Sequence, residues 1–388
     1  MTSWKTETKR MCDLAVPTII VFLGLFTPQA LTAAFIGRKL GVQYLDGFSL
    51  ANLMSNLLAF SVLKGLFLAN DTLMPQAFGA GNYKEVGLLA IRGYIVGLLF
   101  MTPIFVVLFL YMHPILLFLG QSPLPASLAA QFFRVYVLVF PFYILYVMMW
   151  KFLTAQEIMR PLMVVQLIAC GMILPLTLTY FVEGYGYIGG AWALVVYNVA
   201  QAVLLLGYIL VFRPHHPRTW IGLSSSWRSA LSWEGVRAYL DLGVGGILSS
   251  AEWWFWEALI LVVGTFGPIA LSVHTIAAQV IMVVEMVTWG IANALVVRMG
   301  ATMPHSASRA KQIMIWTYIA HWLLVLAIIS MMWVFRFDIF SWFTRDPRVV
   351  EVRDHDGRRG LYATFSQISN RCRWRIVFGG RFCCTFSS

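Results

Sequence analysis

Charge is what this chain has least of. Only 12% of its 388 residues are Asp, Glu, Lys or Arg, against about 25% in an ordinary soluble domain. That scarcity excludes a water-soluble globule. Cysteine is sparse too: Cys12 and Cys170 stand alone, and Cys372, Cys383 and Cys384 fall near the end. No spacing among them fits a zinc site or a disulfide framework, so no metal and no cofactor are expected. HExxH, GxxxxGK[ST] and a nucleophile elbow are also missing, which points away from an enzyme. Without a nucleotide-binding loop, any pumping must draw on an ion gradient. Acids are outnumbered by bases, 17 to 28, but the net +11 does not call for a nucleic-acid partner. Residues 353–388 hold seven Arg and two Asp and supply +5 of it.

Hydrophobic residues are what is plentiful: 60% of the chain, with a mean hydropathy of +0.76. The expected fold class is all-α, a polytopic membrane protein. Apolar segments fall at about 13–37, 47–72, 86–112, 128–152, 161–183, 187–212, 237–263, 267–297 and 312–335. Lys5, Lys9 and Arg10 precede a first segment too long for the apolar region of a signal peptide. Lys and Arg in the connections divide fourteen to five in favour of the face bearing the N-terminus. That bias predicts a cytoplasmic N-terminus. The connection from Arg213 to Glu234, with Pro214, Pro217 and three consecutive serines, is the longest and reads as a joint between bundles. The expected division is therefore a six-helix bundle at 1–212, a linker at 213–236, a partial second bundle of about three helices at 237–352 and a basic tail at 353–388. A weak repeat supports it: Leu14-Ala15-Val16-Pro17 returns as Leu242-Gly243-Val244-Gly245.

Polar groups inside the spans are the functional candidates, because a carboxylate at mid-bilayer costs about 2.5–3.5 kcal/mol without a partner, a proton or a water-filled cavity. The seventh segment contains Ala251-Glu252-Trp253-Trp254-Phe255-Trp256-Glu257. Helical spacing sets Glu252 beside Trp256 and Trp253 beside Glu257. An acid among aromatic rings suits an organic cation, drawn by charge and by the ring face. The alternative is an interfacial aromatic belt with Glu252 near the headgroups. The eighth segment adds Glu285 near mid-span, with Gln279 and His274; the histidine fits a solvated or hydrogen-bonded position near the outer end. Pro28 lies next to Gln29 in the first segment, and Asn56 and Lys64 lie in the second. Asn56 is placed as cavity-lining and Lys64 as snorkelling toward the cytoplasmic end. Pro28, Pro103, Pro141 and Pro175 each free a helix carbonyl, which neighbours or cavity water must satisfy. Each is either a functional bend or a proline tolerated in a packed bundle.

Several stretches, in order, resemble the multidrug and toxic compound extrusion (MATE) family of antiporters, in its eukaryotic type. Asp71-Thr72-Leu73-Met74-Pro75-Gln76-Ala77-Phe78-Gly79-Ala80-Gly81-Asn82 is similar to the family's DTLxxQAFGAG turn. Phe152 to Pro161 resembles FLQAQ(N)I(V)RP, Gly184 to Ala191 resembles GxGxxGAA, and Glu252-Trp253-Trp254 matches EWW. The resemblance covers about residues 10–350. It implies two six-helix bundles facing a central cavity, and export of organic cations or secondary metabolites in exchange for protons, with Na+ an open alternative. Glu252 takes the position of the family's acid for cation recognition or proton coupling, Gln29 that of its first-helix glutamine and Asn56 that of its second-helix asparagine; the acid often found on the tenth helix has no match. Proton and cation would compete for one site as the bundles rock. The membrane would be the plasma membrane or a vacuolar or vesicular one.

The match departs from the pattern at Met299-Gly300-Ala301-Thr302-Met303-Pro304, where the family shows NELGAGNP, and fails beyond about Val352. Arg371, Arg373, Arg375 and Arg381 prevent a span in the tail. The second bundle is thus expected to be truncated, with a tail that is either a genuine basic extension or a shifted reading frame. Two expectations stand beside cation export: a non-transporting form that acts as a regulatory partner, and a lipid-carrier flippase, which a broadly basic cavity would favour.

Overall fold

The computed structural model describes residues 4–220, 228–249 and 268–335. Glu252, Trp253, Trp256 and Glu257, and the tail at 353–388, lie outside the described residues. Among the described residues there is helix and turn and no strand. Among these residues six helices are long and apolar enough to cross a membrane, and a bent pair, taken as one span, makes a seventh. The chain is an integral, multi-pass, all-α protein. It divides into two compact units, residues 1–258 with 282–324, and residues 259–281 with 325–388. The first unit holds everything described below; the second contributes the opening turns of one helix and the end of another.

In order, α1 is Trp4–Lys39, α2 Val42–Ser55, α3 Ser61–Gly79, α4 Tyr83–Phe118, α5 Pro123–Tyr136, α6 Val139–Thr154, α7 Arg160–Ile168, α8 Leu174–Tyr185 and α9 Tyr187–Phe212. Then come α10 Trp233–Ser249, α11 Pro268–Thr302 and α12 Ala307–Val334. The early helices α1 and α4 run past their apolar segments at both ends, because hydropathy marks the lipid-facing stretch and not the hydrogen-bonded one, whereas α9 coincides with its segment.

Breaks in the spans follow from proline chemistry. The fourth segment, read from the sequence as one span, is α5 and α6 bent by 54°. Pro141 has no N–H for the carbonyl of Val137, which accepts instead from the Phe140 N–H at 3.3 Å, and the axis turns there. Pro28 leaves the carbonyl of Gly24 without its helical donor, and Cys170 Sγ, on another helix, donates to it at 3.3 Å. Cys170 reaches it from a π turn at Ala169–Ile173 between α7 and α8. A second π turn, Asn56–Phe60, joins α2 to α3. The extra residue re-phases the helix by about 100°, and such turns recur at functional sites. Pro103 and Pro114 sit inside α4 without ending it.

Close helix contacts depend on small residues, since in lipid van der Waals fit replaces the hydrophobic effect between helices. A Cβ on Gly65 of α3 would lie 2.4 Å from the Ile247 Cα of α10, and one on Gly246 would lie 2.1 Å from the Gly65 carbonyl. Only glycine permits that crossing. The same holds where α3 ends: a Cβ on Gly79 would meet the Ala301 Cα of α11 at 2.7 Å. Gly81, at φ 77°, then closes α3 with the paired bonds Gly81 N–H to Phe78 and Asn82 N–H to Ala77. The QAFGAG stretch is thus a helix cap and a close-approach surface together.

The described part of the long linker is packed, not loose. Thr219 is fully buried, and a Cβ on Gly87 of α4 would strike its carbonyl at 2.1 Å. His216 stacks on Tyr83 with ring centres 4.1 Å apart, and its N–H donates to Gln156 Oε1 at 2.8 Å. Beyond it, the Ala230 carbonyl accepts from Arg92 Nε at 2.7 Å.

Candidate functional site

Six helices and the π turn at Asn56–Phe60 surround a cavity of about 170 Å³. Each helix but α5 contributes a stripe at three- and four-residue spacing, one face of an α-helix. From α1 come Phe22, Leu25, Phe26 and Gln29; from α3, Lys64, Phe67 and Asp71; from α6, Tyr143, Val147, Trp150 and Lys151. The wall is completed by Tyr197, Asn198 and Gln201 of α9 and by Met286, Trp289 and Asn293 of α11. Asn56 and Phe60 enter from the π turn, and Tyr136 from the end of α5. Aromatic rings dominate: Phe22 stands edge-on to Trp150 at 5.3 Å, and Phe60 edge-on to Tyr143 at 4.9 Å. Such a surface is sticky toward flat or cationic organic molecules and selective through few polar groups.

Gln29 and Asn56, both marked by the sequence, face this cavity. Lys64 does as well, and here the expected snorkelling position is corrected. Its ammonium sits 5.6 Å from the centre of the Phe26 ring, a cation–π contact that holds it inside the cavity. Glu285 is half-buried on α11 and off the cavity wall, while its neighbours Met286 and Trp289 are on it. Gln279 lies on the α11 backbone, with its side chain outside the described residues. Glu252, Trp253, Trp256 and Glu257 again fall outside them.

Among the described residues the wall carries three charges: Lys64, Lys151 and Asp71. Lys151 Nζ donates to Asp71 Oδ1 at 2.6 Å. The pair is about 22 Å along the helix from Asn56, at 1.5 Å per residue, and lies toward the end that bears the α1 N-terminus. Below it a recess of about 10 Å³ is lined by Asn70, Thr154 and Asn293 among others. Asn70 is fixed from two sides: its Oδ1 accepts from Tyr239 Oη of α10 at 2.5 Å, and its Nδ2 donates to the Leu89 carbonyl at 3.1 Å. Further down, Arg298 of α11 donates to Glu157, a non-glycine residue at φ 63°. Ion pairs therefore close this end of the cavity.

Behind the cavity wall lies a polar knot centred on Gln166. Gln166, 1% exposed, accepts from Gln201 Nε2 at 2.7 Å and from Tyr146 Oη at 3.3 Å. Its Nε2 donates to Tyr197 Oη at 2.9 Å and Cys170 Sγ at 3.1 Å. Every hydrogen-bonding position of the amide is used. The sequence reading passed over Asp71, Lys151 and Gln166. Intramembrane Asp and Lys were signal enough to flag the first two; Asp71 was quoted only as the start of a motif. Among the described residues no three His, Cys, Asp or Glu side chains converge as metal ligands would.

Comparison with known proteins places this architecture. The MatE family profile matches residues 17–181 and 247–355. Multidrug and toxin extrusion protein 1 of Xenopus tropicalis is 32% identical over 304 residues, 77% of this chain and 51% of that protein. The Homo sapiens protein of the same name is 30% identical over 307 residues, 77% and 52% of the two chains. The chain thus spans about half the length of these relatives. In fold it is similar to the eukaryotic MATE transporter AtDTX14, with a TM-score of 0.80 and 21% identity over 94% of this chain and 82% of that one. A MATE structure in the bent conformation aligns with a TM-score of 0.76 and 16% identity, over 87% and 74%. The helices, the cavity between them and the extent of the profile match give one conclusion: the chain belongs to the MatE family, with the MATE two-bundle fold class.

Proposed function

We propose that the chain is a secondary active exporter of organic cations or secondary metabolites, driven by cation antiport, with H+ as the coupling ion. The observation that carries this reading is the cavity: a largely apolar chamber rich in aromatic rings, with amides at Gln29 and Asn56 and a carboxylate, Asp71, at its floor. Aromatic faces and a carboxylate attract a desolvated cation. The names of the relatives, multidrug and toxin extrusion, agree with it. Glu252, among the tryptophans of its segment, is proposed as the group at which proton and cation compete, with Trp253, Trp256, Glu257, Glu285 and Gln279 as its neighbours in cation recognition. Exchange then works by alternating access: a site that holds either ligand but not both is carried from one face to the other as helix bundles 1–212 and 237–352 rock. The N-terminus is proposed to be cytoplasmic.

The test is uptake in liposomes by the 388-residue chain and by Glu252→Gln. An imposed pH gradient should drive movement of tetraethylammonium through the wild type, and Glu252→Gln should reduce it at least tenfold. A variant that transports like the wild type would remove Glu252 from the mechanism. Absence of gradient-driven movement by folded wild type would favour the non-transporting, regulatory form instead.

A further inference from the structure

The carboxylate best placed to hold a cation in this cavity is already occupied. Asp71 Oδ1 receives Lys151 Nζ at 2.6 Å, and both side chains reach the cavity, 22% and 14% exposed. An amine on a flexible four-carbon stem is chemically a small organic cation attached to the wall. We infer that Lys151 is a built-in placeholder: it occupies Asp71 while the cavity is empty, and an entering organic cation displaces it. This deepens the export reading and rests on it.

Three features support exchange over a fixed strut. First, the chain beside Asp71 is pinned. The preceding residue, Asn70, is clamped by Tyr239 of α10 and by the Leu89 carbonyl, so the acid keeps its position when its partner leaves. Second, the displaced ammonium has a place to go. Asn293 Oδ1 is a buried acceptor with no hydrogen-bond partner, and it lines the recess that Asp71, Lys151 and Thr154 also line. Turning down toward Asn293 would give Lys151 a new acceptor and open the Asp71 carboxylate to the cavity. Third, Asp71 keeps a positive partner throughout the exchange. One cation replaces another at Asp71, and Lys64 stays over Phe26, so the low-dielectric wall is never left with an unpaired carboxylate, which would be costly. A cavity arranged this way favours substrates whose positive charge can pair with the Asp71 carboxylate in place of the lysine. Neutral molecules cannot displace the lysine.

The experiment measures tetraethylammonium binding to the detergent-solubilised 388-residue chain at pH 8 by titration calorimetry. Lys151→Met keeps the length of the stem and removes the competing charge; it should bind about tenfold tighter than wild type. The double variant Asp71→Asn/Lys151→Met should lose that gain. Lys151→Arg, whose planar fork grips a carboxylate at two points, should bind several-fold weaker. Asn293→Leu, which leaves the ion pair intact and removes the landing acceptor, should also weaken binding several-fold. A merely structural ion pair would not tighten ligand binding when broken. The placeholder is overturned if Lys151→Met binds no tighter than wild type, or if the double variant keeps the gain. Should Lys151→Met fail to fold, Lys151→Arg binding as well as wild type overturns it. Tightening without gradient-driven transport would sink the export reading alone, and normal transport without tightening would sink the placeholder alone.

Discussion

The first unit contains two polar clusters inside its apolar helices, and they differ in kind. Around Gln166 every donor and acceptor of the amide is matched, the amide itself is buried and off the cavity wall, and the partners come from α6, α9 and the π turn at Ala169–Ile173. Around Asp71 the groups are charged, partly open to the cavity, and next to an acceptor, Asn293 Oδ1, that nothing fills. The first cluster is a fastener. The second is built to change partners. Intramembrane polarity by itself therefore does not mark function; what does is polarity that is incompletely satisfied and reachable from a cavity.

The comparison can be broken at its frame. Gly246→Val would drive a side chain into the Gly65 carbonyl and part α10 from α3, carrying Tyr239 off Asn70. Overpacking of this kind costs about 3 kcal/mol, so thermal unfolding in detergent should show the largest loss of the series, together with loss of cation binding. A smaller effect is expected at the fastener. Gln166→Leu removes four hydrogen bonds at about 0.6 kcal/mol each in membranes, about 2 kcal/mol in sum. Thermal stability should fall while tetraethylammonium affinity, measured on the folded fraction, changes less than threefold. Were affinity to fall tenfold instead, the knot would be part of the site. Asn56→Ala sharpens the opposite case: a half-buried amide on the cavity wall, whose loss should weaken binding a few-fold with stability nearly unchanged.

The smallest effect belongs to the linker. Burial, and then the charge of Arg213, lower the pKa of His215 from its usual 6.5. A histidine whose folded pKa is depressed favours the docked state fully above pH 6.5, and that contribution is lost as pH falls through the lowered value. Protection factors of the amides at 215, 216 and 218–220, corrected for the intrinsic pH dependence of exchange, should fall modestly between pH 7 and pH 5. His215→Gln should flatten that dependence.

Much of the frame was legible in the sequence, because lipid imposes length and apolarity on every span. The six early segments and the proline at 28 could be read directly, and so could the polar pair Gln29 and Asn56, since an amide inside a span has few reasons to be there. The internal partners could not. Lys151 meets Asp71 across 80 residues and Gln201 meets Gln166 across 35, and no local spacing encodes such meetings. Lys64 was misplaced because hydropathy counts it as a span end, whereas the π turn at Asn56–Phe60 re-phases the helix and delivers it to the cavity. The bend between α5 and α6 was only half legible: Pro141 announced it, and the direction came from how the halves pack.

The most direct test of the cavity as the cation site is to fill it. Leu25 faces the cavity from α1, and Leu23, two residues earlier, is 36% exposed and off the cavity wall. Tetraethylammonium binding should be lost in Leu25→Trp and retained in Leu23→Trp, both measured by calorimetry on folded protein. If Leu25→Trp binds like the wild type, cations do not bind in this cavity and the account is wrong.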